Sequence, residues 1–404
     1  FDEGPHKEGD YGPYTQSERL DIYHKHTNQL IKNGNAYPCF YPQDRLETIK
    51  SKNIPSDIVA EYDKRFRDLD IDESIEKMKH ENHIIRLKIP SKGSISIDDT
   101  IRGNIEFDLS LIQDQIILKS DGFPTYHLAS VIDDHLMKIT HVIRGEEWVA
   151  SLPKHALLYK AFEWEMPTFV HLPLLLNKDK SKLSKRQGDV AVEDYKLKGF
   201  LKDALINYVA LLGWHGSDNK EIYNFDELIN SFSINRIKSS GAIFDVKKLI
   251  WFNQQYIKNS DSKVLLNLIS HTVPSDWNLK IEMIDLLKDS VDTLNDFQEH
   301  LKSFFVYSPL KISSDNNLFS DSIYNFLNLY KEALSKYDDM NPKIFKELIN
   351  QLKENNDVSG NIWKPIRIAL TGFEHGPDIS MYATILGPAT SINRIQSFLD
   401  LNVN

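Results

Sequence analysis

"HLPLLLNKDKSKLSKRQGDV" occupies residues 171–190, and its reading decides the fold. The apolar run from Leu172 to Leu176 is followed at once by five cations, Lys178, Lys180, Lys182, Lys185 and Arg186, against one acid, Asp179. That junction suits an α/β sheet in which a buried strand delivers the chain to a surface loop. Upstream, "TFVHLPLLL" (168–176) reads as one buried strand, "LPKHALLYKAFEW" (152–164) as a helix and "HVIRG" (141–145) as a short strand. Residues 126–190 are therefore expected to be α/β.

Outward from this block the texture changes twice. Near the start, "QSERLDIYHKHTNQLIKNG" (16–34) places Leu20, Tyr23, Leu30 and Ile31 on one helix face, and Gly34 is a stop. Between these regions, "HIIRLKIP" (83–90) and "QIILKS" (115–120) alternate as strands do, with charged helical sequence between. Beyond about residue 263 the pattern is helical. In "MIDLLKDSVDTLNDFQEHLKSFF" (283–305), Ile284, Leu287, Val291, Leu294, Leu301 and Phe304 recur every three or four residues. Asn341-Pro342 pairs a capping residue with a proline at the first helical position.

The 404 residues suffice for two or three domains, and 41% hydrophobic with 26% charged residues is an ordinary globular balance. No apolar run approaches the roughly 20 residues that span a bilayer. Cys39 is the single cysteine, so an internal disulfide and a Cys-based zinc site are both excluded. A net charge of -10 argues against indiscriminate nucleic-acid binding while allowing a local basic surface. Clustered cations repel one another unless they are solvated or gathered round a polyanion. Charge alone favours a solvated loop at 178–186. A triphosphate is the compact polyanion that fits the alternative, with lysines opposing the charge that develops on departing pyrophosphate.

The stretch from Ser120 to Trp148 concentrates polar chemistry: Tyr126, His127, Asp133, Asp134, His135 and Arg144 lie within it. Asp133, Asp134 and His135 are adjacent, and on a strand they would not face one ion, so no metal site is expected. Tyr126 reads equally as a core tyrosine. Arg144 closes an apolar strand, where an α/β sheet presents ligand-binding groups, and an arginine there grips a carboxylate bidentately.

"PTYHLASVIDDHLMKITHVIRGEEW" (124–148) followed by "HLPLLLNKDKSKLSKRQGD" (171–189) resembles the class I glutamyl-tRNA synthetases, with a feel closest to mitochondrial members. "DEGPHKEGDYGPYTQSERLDIY" (2–23), "SGAIFDVKKLIWFN" (240–253) and "RIALTGFEHGPDISMYATILG" (367–387) extend the likeness over nearly the whole chain. "KLSKR" (182–186) stands where the family carries its KMSKS signature. The other signature, HIGH, is nowhere in the sequence. The resemblance thus implies a chain lacking the family's beginning, an incomplete Rossmann-type core, and a chain inactive by itself.

What the resemblance implies further is specific. Residues 1–37 and 126–190 are the two parts of the catalytic α/β core, and 38–125 an inserted acceptor-stem-binding domain. Residues 191–262 form a stem-contact domain and 263–404 an all-helical anticodon-binding region. Lys182 and Lys185 are catalytic. Glu147, Trp148, Leu174, Lys182, Leu183, Ser184, Lys185 and Arg186 bind ATP. Tyr126, Ser130 and Arg144 bind glutamate, with Ser130 standing where many relatives have Asn. Arg236, Lys238, Lys247 and Lys248 are basic candidates for tRNA phosphate contact, or a solvated face. The implied reaction joins glutamate to ATP, with Mg²⁺ and without zinc, then passes glutamyl to the 3′ end of tRNA(Glu), with tRNA(Gln) a second candidate. The alternatives are a glutaminyl-tRNA synthetase, whose anticodon part is β-barrel, and an inactive tRNA-binding scaffold. A monomer in the mitochondrial matrix is expected, with bacterial cytoplasm the alternative.

Overall fold

The computed structural model describes residues 2–40, 64–183, 191–313, 318–356 and 361–402. Helix α1 (Leu20–Lys32) buries Tyr23, Thr27, Leu30 and Ile31, one stripe at helical spacing. It stops at Gly34, whose φ of +71° is open to glycine and strained for other residues. Strand β1 (Ala36–Phe40) follows, then helix α2 (Ile71–Met78), strand β2 (His83–Leu87), strands β3 (Ser94–Asp99) and β4 (Gly103–Asp108), and strand β5 (Ile116–Leu118). Helix α3 (Tyr126–Leu136), strand β6 (His141–Gly145), helix α4 (Leu152–Phe162) and strand β7 (Thr168–Leu172) complete the first α/β block. A two-residue strand, β8 (Leu175–Leu176), comes next.

One sheet has the antiparallel order β1-β2-β5. The other has the order β4-β3-β7-β6, in which β3 and β6 both run parallel to β7. Asp99, at the end of β3, registers with Phe169 and ties the β3–β4 hairpin to β7. One expectation changes here. The expected continuous strand 168–176 is interrupted at Pro173, which has no N–H for the ladder. Helices α3 and α4 cover the sheet with Leu128, Val131, Ile132, Leu152, Leu158 and Tyr159, all at most 1% exposed.

The chain resolves into two compact units. The first is residues 1–176 with 213–215 and 232–242. The second holds 177–212, 216–231 and 243–404. In the second unit, helix α5 (Val192–Leu197), α6 (Lys202–Gly213) and α7 (Phe225–Ser231) precede helix α8 (Val246–Asn259). Helices α9 (Ser262–Ile269), α10 (Ile281–Leu287), α11 (Asp296–Phe305), α12 (Asp321–Leu334), α13 (Pro342–Asn355), α14 (Trp363–Thr371) and α15 (Ile379–Asn402) follow. No strand occurs among the described residues after 243. The periodic stretch 283–305 is two helices, separated by a turn at "DSVDTLN" that the first residue of α11 braces: Asp296 accepts from the N–H groups of Asp292 and Thr293. Asn341 caps α13 as its Asn-Pro start requires. Buried Arg394 ties this unit together by donating to the carbonyls of Ser303, Phe304 and Leu370.

Candidate active site

The parallel register of β6 on β7 pairs Arg144 with His171, so both side chains leave the sheet on one face at neighbouring positions. Arg144 Nε donates to His171 Nε2 at 3.0 Å. Its Nη1 reaches His155 Nδ1 at 3.2 Å and the Tyr126 hydroxyl at 3.3 Å. Nη2 points to the Trp148 carbonyl at 3.5 Å. Every one of these acceptors is neutral, so the guanidinium charge is oriented by hydrogen bonds without being cancelled by a bonded carboxylate.

Tyr126 and Trp148 form the wall beside it, their ring centroids 4.4 Å apart. Tyr126 is 44% exposed, so it is not a core tyrosine, and its hydroxyl is fixed by Arg144. Ser130, one turn along α3, has a buried hydroxyl oxygen with no hydrogen-bond partner. Asp134 lies one turn further along the same stripe. Burial pushes its carboxyl up to about 6, Asp133 adds to the rise, and Arg144 opposes it.

The two neighbouring acids and the imidazole on α3, Asp133, Asp134 and His135, diverge, as adjacent residues on a helix must. Their strand placement is corrected to a helix, but the divergence stands. Asp133 accepts from buried Arg19 at 2.9 Å and from Tyr23 at 2.7 Å. His135 stacks on Trp164 at 3.8 Å. Among the described residues no group of three His, Cys, Asp or Glu is arranged for a metal ion.

Five groups that matter here carried no role in the sequence reading. His171 is fully buried, and its Nδ1 lies 2.7 Å from Asp99 Oδ2. Burial pulls its pKa down, with Asp99 opposing and Arg144 adding to the fall. Burial likewise lowers His155 to about 2 and His127 to about 4. Glu146 accepts from the Leu174 N–H at 3.1 Å and pairs with Arg102. The available signal was small but real, since His171 is the lone titratable residue in "TFVHLPLLL".

The other implied positions fall out as follows. Glu147 is exposed and folds back over Gly145, where an added Cβ would meet its carboxylate at 2.1 Å. Leu174 is half-buried. In the second unit Lys182 is exposed and Leu183 half-buried, while Ser184, Lys185 and Arg186 lie outside the described residues. Lys178 pairs with Asp245 at 3.4 Å, a partner far along the chain. Lys238 is exposed and Arg236 half-buried. Lys247 is exposed, and Lys248 is paired with Glu221 at 2.5 Å, so the second is no free cation. The helical unit also holds a cavity of about 320 Å³ whose lining includes Arg367, Phe373, His375 and His300.

A strand-end arginine in a parallel α/β sheet and, in the sequence, a basic signature stretch after β8 are features of the class I aminoacyl-tRNA synthetases. The family described as "tRNA synthetases class I (E and Q), catalytic domain" matches residues 5–251, and "Anticodon binding domain" matches residues 247–399. A glutamate–tRNA ligase of Clostridioides difficile (strain 630) is 41% identical, with 96% of this chain and 82% of that protein covered. One from Chloroherpeton thalassium is 39% identical over 99% of this chain and 84% of its own length. The crystal structure of a glutamate tRNA ligase from Elizabethkingia meningosepticum, in complex with its amino acid, superposes with a TM-score of 0.86 at 32% identity. It covers 99% of this chain and 86% of that one. The chain belongs to the class I glutamyl-tRNA synthetases. These relatives are bacterial, so the likeness to mitochondrial members finds no support in them.

Proposed function

We propose that this protein activates L-glutamate with ATP and transfers the glutamyl group to the 3′ end of tRNA(Glu). The observation that carries the reading is Arg144: a guanidinium held by four neutral acceptors keeps its charge for an anionic substrate. Glutamate offers two carboxylates and glutamine one, which favours the glutamate enzyme over the glutaminyl alternative. The helical region after residue 262 and its anticodon-domain match point the same way. Tyr126 and Ser130 complete the amino-acid pocket in this reading, and Glu147, Trp148 and Leu174 the ATP side. The lysines of 182–186 oppose the charge building on pyrophosphate. Mg²⁺ enters as the companion of the triphosphate. Such an ion keeps several waters and leans on phosphate oxygens, so it needs no protein cage.

For tRNA, the reading places stem contacts on Arg236, Lys238 and Lys247 and the anticodon on the helical unit. The cavity lined by Arg367 and exposed Phe373 has the size and chemistry for one unstacked base. Its acceptors are tRNA(Glu) and, as the wider reading, tRNA(Gln). In this reading the protein works as a monomer, and a bacterial cytoplasm is favoured over the mitochondrial matrix because the similar ligases are bacterial.

Arg144→Lys tests the assignment in the intact protein. Lysine keeps the charge but loses the fork, so half-saturation by glutamate in pyrophosphate exchange with tRNA present should rise at least about tenfold. Dependence on ATP should hardly move. Superimposable glutamate curves would make Arg144 a structural residue and remove the substrate reading.

A further inference from the structure

We propose that His171 and Asp99 are positioning residues for glutamate recognition: a single, fixed imidazole tautomer aims Arg144 at the substrate. This rests on the reading of Arg144 as the carboxylate-binding group. The geometry allows one assignment of protons. Arg144 Nε can only donate, so His171 Nε2, 3.0 Å away, must accept. The ring proton therefore sits on Nδ1 and is donated to Asp99 Oδ2 at 2.7 Å.

Asp99 is itself immobilised. It is 3% exposed, its Oδ2 also accepts from the His171 backbone N–H at 3.0 Å, and its Oδ1 accepts from the N–H groups of Ile101 and Arg102. Four donors thus fix one carboxylate, which fixes one ring, which fixes one guanidinium edge. A protonated His171 would turn an N–H toward the arginine and repel it, and burial keeps the ring neutral.

A second imidazole chain braces the other edge. His155 Nδ1 accepts from Arg144 Nη1, so its proton lies on Nε2 and is donated to His127 Nδ1 at 3.0 Å. Both rings are held neutral by burial, which keeps this tautomer chain intact at neutral pH. The outer edge of the guanidinium is thereby oriented without a bonded counter-charge. A carboxylate in either histidine's place would orient Arg144 equally well but would satisfy it and leave less attraction for substrate.

Two substitutions at His171 separate this role from packing. His171→Phe keeps a ring in the buried slot but offers no acceptor. His171→Gln loses the ring but places an oxygen where Nε2 stood. Both are compared in the intact protein by glutamate titration of pyrophosphate exchange, with thermal unfolding as the check on folding. The expected result is a rise of about tenfold or more in the glutamate KM for Phe, with the ATP KM unchanged and a large part of the loss recovered in Gln. Phe equal to wild type, or better than Gln, would overturn the proposal, since a packing role predicts that order.

Histidine-selective ¹⁵N NMR of the unmutated protein gives an answer that does not depend on either variant folding. His171 should be the Nδ1–H tautomer at pH 7, and His155 and His127 the Nε2–H tautomer. An Nε2–H His171 would sink the inference even if Arg144 binds glutamate. An unchanged glutamate KM in Arg144→Lys, with these tautomers present, would sink the substrate reading instead.

Discussion

Asp134 is the most exposed weakness of the site's foundation, and replacing it with asparagine measures that weakness. The carboxylate accepts no hydrogen bond among the described residues and sits one turn beyond Ser130, whose buried hydroxyl is also unpartnered. Burial, helped by Asp133, raises its pKa from 3.8 to about 6 in the folded protein. A raised acid pKa means the folded state holds the proton more tightly than the unfolded state. Stability therefore falls as pH climbs from about 4 to about 6 and stays at the lower level above that. A carboxyl moved from 3.8 to about 6 corresponds to roughly 3 kcal/mol at most, and partial solvent access reduces this to about 2 kcal/mol. Asp134→Asn removes the ionisation but keeps the shape. Urea unfolding of both proteins, followed by tryptophan fluorescence at pH 4.5 and pH 7.5, provides the comparison. The asparagine variant should gain on wild type by about 1–2 kcal/mol between the two pH values. A difference that is the same at both would show that Asp134 does not titrate in this range and that the burial argument is wrong.

Two further outcomes are expected. Lys182→Ala should slow adenylate formation about a hundredfold without shifting the melting temperature, because an exposed side chain holds little of the fold while one charge contact to the transition state is worth about 3 kcal/mol; single-turnover formation of the adenylate reads this directly, and an unchanged rate would take the lysine out of the mechanism. Arg394→Leu should destabilise the helical unit by about 3 kcal/mol or more, because three backbone carbonyls that it satisfies lose their donor; a loss under about 1 kcal/mol in denaturant unfolding would mean that water replaces it.

Much of this protein was legible one residue at a time. The helix at 20–32 followed from an apolar stripe and a glycine, and β6 from an apolar run. The helical C-terminal half followed from recurrences at three and four residues. These are local properties, written in the spacing of side chains that must reach one face. The family likewise lay in short motifs, "VIRGEEW" and "KLSKR", whose chemistry is carried by the residues themselves. Residues 168–176 read as one strand, and 283–305 as a helical pattern without a stop. The breaks depend on a proline and on a turn braced by Asp296, which periodicity does not weigh.

The surroundings of Arg144 were not legible, and the reason is distance along the chain. Asp99 and His171 are 72 positions apart, and Arg144 and His171 are 27 apart. Nothing local marks Asp99 in a charged hairpin, or His155 within an apolar helix, as partners of a strand-end arginine. The parallel register of β3, β7 and β6 puts Asp99, His171 and Arg144 side by side, and helix α4 brings His155 to the same guanidinium. The sequence by itself determined which elements form and which family they belong to, because propensity, pattern and motif are short-range. Tertiary structure alone decided the tautomers, the buried charges and the residues that aim the arginine, because those are set by which strands become neighbours.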